Sequence, residues 1–320
     1  MFDKAVILDT NVYRTMSYDS DGKILSVEGV KEKWRKVKEH ERSKGVRGYC
    51  NPFVLIELFA HLADDTDPHY EACKVAIVGA VEHCTDDDFF RLLVDGESNL
   101  CQILFGRISE VDQGTTKNIM NAASMVYADC SESNMTSLRH LFKLLADHVE
   151  NVERQFLDDM NNYVVLALGG AAGGWTIFTG DRNARKKFVQ YIDSDNFFTD
   201  WAKAQVLKAV IALSLSIDQI EDASSKVNIV KLMFKLPFAM YREIIKKMAS
   251  GGYNLDKKGR SNSVWDMQVM FAFCENGDLD GCETMLVTDD TLMRSSAASA
   301  GLGDKCVSSK VYFDSIGAFI

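Results

Sequence analysis

Several carboxylates stand where they could do chemistry. Asp9 closes the apolar run Ala5-Val6-Ile7-Leu8 and is followed by Thr10 and Asn11. Glu57 sits among Leu55, Ile56, Leu58 and Phe59, an expensive place for a charge without a partner. Asp266 falls in the first turn of the helical pattern SNSVWDMQVMFAF, and Asp289 and Asp290 end the segment ETMLVTDD, directly after Thr288. Hard cations such as Mg2+ or Mn2+ take oxygen ligands, and carboxylates brought together repel one another unless a cation neutralises them. Each position also has a structural reading: Asp9 as a turn or cap residue, Glu57 as the partner of a lysine, Asp266 as an acid favoured by the helix dipole.

Softer ligand sets are missing from the sequence. The eight cysteines contain no C-x-x-C pair and most lie among apolar neighbours, so they read as buried reduced thiols. His69 and Cys73 have the i, i+4 spacing of two helix ligands, but no second pair stands nearby. Gly169, Gly170, Gly173 and Gly174 resemble a phosphate loop only in composition, because no Gly-Lys-Ser/Thr comes after them.

The elements that must position the acids can be read from local pattern. The run Ala5 to Leu8 is too short for a buried helix and suits a strand covered on both faces; ligands collect at the carboxyl ends of such strands. Thr10 or Asn11 is then read as the cap of the next helix. Asn51 and Pro52 open a helix whose Phe53, Ile56, Phe59 and Ala60 form an apolar face. Glu283 to Asp290 reads as a strand, Thr291 to Ala300 as a helix, and Val307 to Phe313 as a last strand. Between the two ends the chain reads as helical, with periodic apolar segments around 70–84, 88–108, 119–130, 136–149, 152–168, 199–219 and 227–249.

Charge restricts the partners. With 36 basic and 46 acidic residues the formal charge is −10, which argues against a protein that coats DNA or an anionic membrane by bulk charge. Any nucleic-acid contact must be local. Val30 to Lys44 reads as an exposed charged helix whose basic side could guide a phosphate backbone toward Asp9. The stretch from Lys226 through Lys231, Lys235, Arg242, Lys246 and Lys247 to the turn Lys257, Lys258, Arg260 is the best local basic surface. No export signal is visible. The longest apolar run, Val164 to Phe178, is broken by glycines and shorter than the roughly 20 residues of a spanning helix, so a cytoplasmic protein without membrane contact is expected.

A hydrophobic strand ending LDTN, a helix with an embedded Glu, a late helix opening with Asp and a strand ending VTDD, in that order, resemble the PIN-domain nucleases. The resemblance covers residues 1–62 and 255–320 and leaves 63–254 as a large, mostly α-helical insertion. It implies a three-layer α/β/α fold around a parallel sheet and divalent-metal-dependent hydrolysis of RNA, as in toxins and RNA-processing enzymes, with DNA as the alternative substrate. Carried over, Asp9, Glu57, Asp266 and Asp290 form the acidic quartet, Asp289 is an additional acid near the metal, and Asn11 and Thr288 support the metal or its waters. Mg2+ or Mn2+ is the implied cofactor.

Alternatives stay open beside it. The acids Asp158 or Asp159 and Asp181 imitate Asp266 and Asp290, because Thr176 to Arg185 reads as a strand that ends at Asp181 and leads into a helix. The helix and strand read after Asp290 finish an α/β sheet better than the helix-rich sequence after Arg185, which favours the late pair. A catalytically silent scaffold binding RNA or protein through the helical insertion is the main rival function, and a homo-oligomer is compatible with either. A phosphatase of the haloacid-dehalogenase kind ranks lower, since it expects a second Asp where Asn11 stands.

Overall fold

Strand β1 (Lys4–Leu8) is the centre of the sheet. Ala5 to Leu8 are each at most 1% exposed. Successive strand residues point to opposite faces, so both faces of the sheet are covered. In the computed structural model, which describes residues 2–169, 181–216, 223–250, 268–271, 278–279 and 281–318, β1 pairs in parallel with β2 (Val46–Tyr49) on one side and β6 (Cys282–Val287) on the other. Beyond β6 lie β7 (Cys306–Val307), parallel at Leu286↔Cys306, and the short antiparallel β5 (Asp278–Leu279). Among the described residues the fold is therefore mixed α/β with four parallel strands. A separate hairpin joins β3 (Thr85–Asp86) to β4 (Phe89–Phe90).

Parallel register brings all four carboxyl ends to one edge. Leu8 is level with Val287, and Val287 with Val307, so the residues after them, Asp9, Thr288 and Ser308, share that edge. Helix α1 (Thr10–Met16) leaves it directly, and α3 (Pro52–Ala60) leaves it after β2, with Asn51 Oδ1 accepting from Phe53 N at 2.9 Å. Pro52 occupies the first turn, where its missing N–H costs nothing.

The remaining helices are α2 (Val27–Ser43), α4 (Tyr70–Cys84), α5 (Gly96–Phe105), α6 (Glu110–Ala128), α7 (Glu132–Leu168), α8 (Arg182–Ile192), α9 (Asp195–Ala212), α10 (Ala223–Met233), α11 (Lys235–Ser250), α12 (Thr291–Ser299) and α13 (Ser309–Ile316). Their buried residues form one continuous core with those of the sheet. Among the described residues no helix is long and apolar enough to cross a membrane.

Four local expectations are revised. The segment Val307 to Phe313 is not a strand beyond Val307: Ser308 Oγ accepts from Val311 N, and Tyr312, Phe313 and Ile316 bury at helical spacing. The segments 136–149 and 152–168 are one helix, α7, because the polar residues between them include neither Gly nor Pro. The pattern 227–249 is split at Phe234, where Pro237 in the first turn of α11 cannot donate to the preceding helix. Helix α2 is charged but not wholly exposed: Val30, Trp34, Val37 and Glu41 are buried against α4 and β2.

Glu41 belongs to a buried polar cluster behind the sheet. His83 Nε2 lies 3.0 Å from Glu41 Oε1, Tyr312 Oη donates to the same oxygen at 2.5 Å, and Tyr13 Oη lies 2.8 Å from His83 Nδ1. The cluster joins α1, α2, α4 and α13. Gly48 makes room for it, since a Cβ there would stand 2.7 Å from the His83 ring.

Candidate functional site

Asp9 is fixed by its place at the end of β1. Its N–H donates to Val287 O at 3.0 Å, which extends the ladder by one residue. The side chain, 5% exposed, caps α1: Oδ1 accepts from Thr10 N at 2.7 Å. Asp9 itself is thus the cap expected of Thr10 or Asn11, and Asn11 donates to it from the first turn. Its other oxygen, Oδ2, accepts from Thr288 Oγ1 at 2.8 Å. Burial raises the Asp9 pKa above the ordinary carboxylate value; the hydrogen bonds from Thr288 and Thr10 oppose the rise, and the charge of Asp290 adds to it.

Thr10 carries the link to the second acid. Its hydroxyl donates to Glu57 Oε2 at 2.7 Å, so α1 and α3 are clamped at the sheet edge. Burial pushes Glu57 up to about 7, against which the Thr10 hydrogen bond and Arg14 act, while Asp9 and Glu153 reinforce it. Two partly compensated carboxylates therefore share one end of the sheet.

Past β6 the turn divides its two acids. Asp290 N donates to Thr288 Oγ1 at 3.0 Å, and Asp290 Oδ1 caps α12 by accepting from Met293 N at 2.6 Å. Asp289 points to the start of α13 instead. It accepts from Ser309 N at 3.0 Å and Ser309 Oγ at 2.6 Å, with Arg294 at 3.5 Å.

No family model, curated protein or solved structure matches the chain.

The geometry thus brings together Asp9, Glu57, Thr288 and Asn11, with Asp290 near enough to act on the charge of Asp9, and leaves Asp289 engaged elsewhere. Asp266 lies outside the described residues, as do Thr176 to Gly180, Gly170, Gly173, Gly174, Cys274 and the basic turn Lys257, Lys258, Arg260. Of the rival acids, Asp181 caps α8 through Asn183 N and Ala184 N, Asp159 pairs with Lys208 at 2.7 Å, and Asp158 is exposed. The described cysteines are free thiols, all buried except the partly exposed Cys130. Much of the basic stretch near α11 is engaged internally: Lys226 donates to Leu104 O, Lys246 pairs with Asp193, and Lys247 donates to Ser295 Oγ.

In donor type the cluster fits a hard divalent cation, since every group offered carries a carboxylate, hydroxyl or amide oxygen. In number it is short. Among the described residues no group of three or more His, Cys, Asp and Glu side chains converges to hold a metal. Three participants are not legible as such from the sequence: Thr10 as the bridge to Glu57, Arg14 as the nearby cation, and Glu153 of α7 as a third acid acting on Glu57. Only Thr10 leaves a trace, as a hydroxyl beside the strand-end acid; Glu153 is one of many charges on a long helix.

Proposed function

We propose that this chain is a divalent-metal-dependent endoribonuclease with a PIN-like three-layer α/β/α core, in which Asp9 and Glu57 are the acids around which the site is built. The observation that supports this most strongly is the pair itself: two carboxylates at the carboxyl edge of a parallel sheet, both raised by burial and each by the other's charge or that of a nearby acid. Such an arrangement is costly alone and favourable around a cation. Asp9, Glu57, Asp290 and, by resemblance, Asp266 would hold Mg2+ or Mn2+. When bound, the ion supplies the positive charge that a phosphodiester needs for attack by water.

The chain's own groups do the rest. Thr10 N and Thr288 Oγ1 fix both oxygens of Asp9, so no side-chain reorganisation is needed when a cation or substrate arrives. Glu57, with a pKa near 7, divides between its two protonation states at neutral pH and can take and return a proton at Oε1, while Oε2 is held by Thr10. Arg14 is the nearby cation available to a phosphate.

A fluorescent single-stranded RNA incubated with Mn2+, with and without EDTA, tests the reading, with a DNA strand of the same sequence beside it. Metal-dependent cleavage is expected, reduced about 100-fold or more by Asp9→Asn and by Glu57→Gln. Cleavage that survives EDTA or both substitutions, or no cleavage at all, overturns it.

A further inference from the structure

A cavity of about 260 Å³ lies among α3, α5, α6, α7, α9 and α11. Two of its lining residues are sequence neighbours of acids at or near the candidate site. Ile56 of α3 lines it and is followed by Glu57; Val152 of α7 lines it and is followed by Glu153, whose charge acts on Glu57. On α7 the lining continues through Gln155, Phe156, Asp159 and Tyr163, one helical face leading away from the site.

Two properties of the wall define what fits. Aromatic rings dominate it: Phe53, Phe156, Tyr163, Trp201, Tyr241 and Phe271, with Trp201 and Phe271 only 16° from parallel. Flat π-systems are the partners such faces stack on. Among these rings stands Gln205, 8% exposed, on the cavity wall. Its amide carries a donor and an acceptor side by side, which together match the edge of a heterocycle. Gln155 and Gln268 offer two more amides.

The charge on the wall disfavours phosphate. Three acids, Asp95, Glu97 and Asp159, stand against His148 and one lysine, Lys208, which is already paired with Asp159 at 2.7 Å. A neutral ligand is favoured over an anionic one. We propose that this cavity binds a nucleobase, stacked on the aromatic wall and hydrogen-bonded by Gln205, while any phosphate attached to it stays outside, on the side of Asp9 and Glu57. The base comes either from a free nucleoside or from an RNA strand unstacked at the cleavage site. The second source rests on the proposed nuclease function; the first does not.

The test uses the full chain in EDTA, so that binding is read without cleavage. Adenosine, guanosine, cytidine and uridine, their 5′-monophosphates and a short oligoribonucleotide are titrated while tryptophan fluorescence is monitored, Trp201 being in the wall. At least one nucleoside or the oligoribonucleotide is expected to bind. Gln205→Leu, which keeps side-chain volume, and Thr116→Trp, which fills the cavity from its partly exposed wall, should each weaken binding about tenfold or more while leaving the melting curve cooperative. Nucleoside binding with both losses identifies the free ligand, and oligoribonucleotide binding alone with both losses identifies the strand. Binding of neither, binding that both variants retain, or monophosphates binding tighter than nucleosides overturns the proposal. If RNA is not cleaved with Mn2+ but the nucleoside titration holds, the nuclease reading falls and the base pocket stands.

Discussion

Thr288 Oγ1 lies 2.8 Å from Asp9 Oδ2 and 3.0 Å from the backbone nitrogen of Asp290, donating to the first and accepting from the second. One hydroxyl thus ties the end of the first strand to the turn after β6, at opposite ends of the sequence. Thr288→Val keeps the shape and removes both bonds. Asp9 Oδ2 then loses its donor in a buried setting, which should cost about 1–3 kcal/mol in urea denaturation at neutral pH. Thr288→Ser should recover most of it. A valine variant with the parent's midpoint would show that the bond contributes nothing.

Glu57 sets a pH dependence of definite sign. Its folded-state pKa is near 7 against 4.5 for the free side chain, so the folded chain binds the proton more tightly than the unfolded chain does. Stability from this group is therefore greatest at low pH and falls as the pH rises from about 4.5 through about 7. In EDTA the melting temperature of the parent should decline across that window relative to Glu57→Gln, which has nothing to titrate there. Mn2+ should shrink the decline, because a cation binds the ionised form and releases the proton. Identical parent and variant profiles would refute the assignment.

The sheet edge was legible where an apolar run ended in an acid. Leu8-Asp9 and Val287-Thr288-Asp289 carry that signal in a few residues, and burial of β1 on both faces leaves no polar alternation to obscure it. Strand β2 was not, because Val-Arg-Gly-Tyr is short and half-polar and becomes a strand only by pairing with β1. The last segment shows the opposite conflict: Val307, Val311, Tyr312 and Phe313 have strand propensity, and the cap at Ser308 overrides it. For the site, Asp9 and Glu57 could be nominated singly from their neighbours. Their connection through Thr10 is a tertiary contact between residues 10 and 57, which no local pattern encodes.

The cluster behind the sheet yields a second pH prediction. Burial alone would lower the His83 pKa, but the adjacent Glu41 and Cys84 outweigh it and raise it to about 10. The imidazolium is thus favoured by folding, and its contribution is fully present below about 6.5 and is lost as the pH rises through about 10. Glu41→Gln removes the larger of the two counter-charges of the histidine, leaving only Cys84, and should destabilise the chain by about 3–5 kcal/mol at pH 7. The same variant should flatten the parent's loss of stability between pH 7 and 10. Parallel parent and variant profiles over that range would contradict the ion pair.

Gly79 and Gly114 both lie inside helices, yet alanine should act oppositely at the two. A Cβ at Gly79 would stand 2.4 Å from Trp34 Nε1 and 2.8 Å from its Cδ1. Trp34 has no room to retreat: it is fully buried, with its ring centroid 5.2 Å from that of Tyr13 and 4.7 Å from that of His83. The helix-propensity gain of up to about 1 kcal/mol is therefore outweighed by an overpacking cost of about 1–3 kcal/mol or more, and Gly79→Ala should destabilise. At Gly114 a Cβ meets nothing within 4 Å, so only the propensity gain remains and Gly114→Ala should stabilise by about 0.5–1 kcal/mol. Trp34→Phe separates the contact from the backbone effect. It removes the indole nitrogen, which has no hydrogen-bond partner among the described residues, and so removes the nearer of the two atoms that the new methyl strikes. The double variant should be less destabilised than the sum of the two single changes, by about 0.5–3 kcal/mol in a thermodynamic cycle. Strict additivity would mean that the close approach of α4 to α2 is not what requires glycine at position 79.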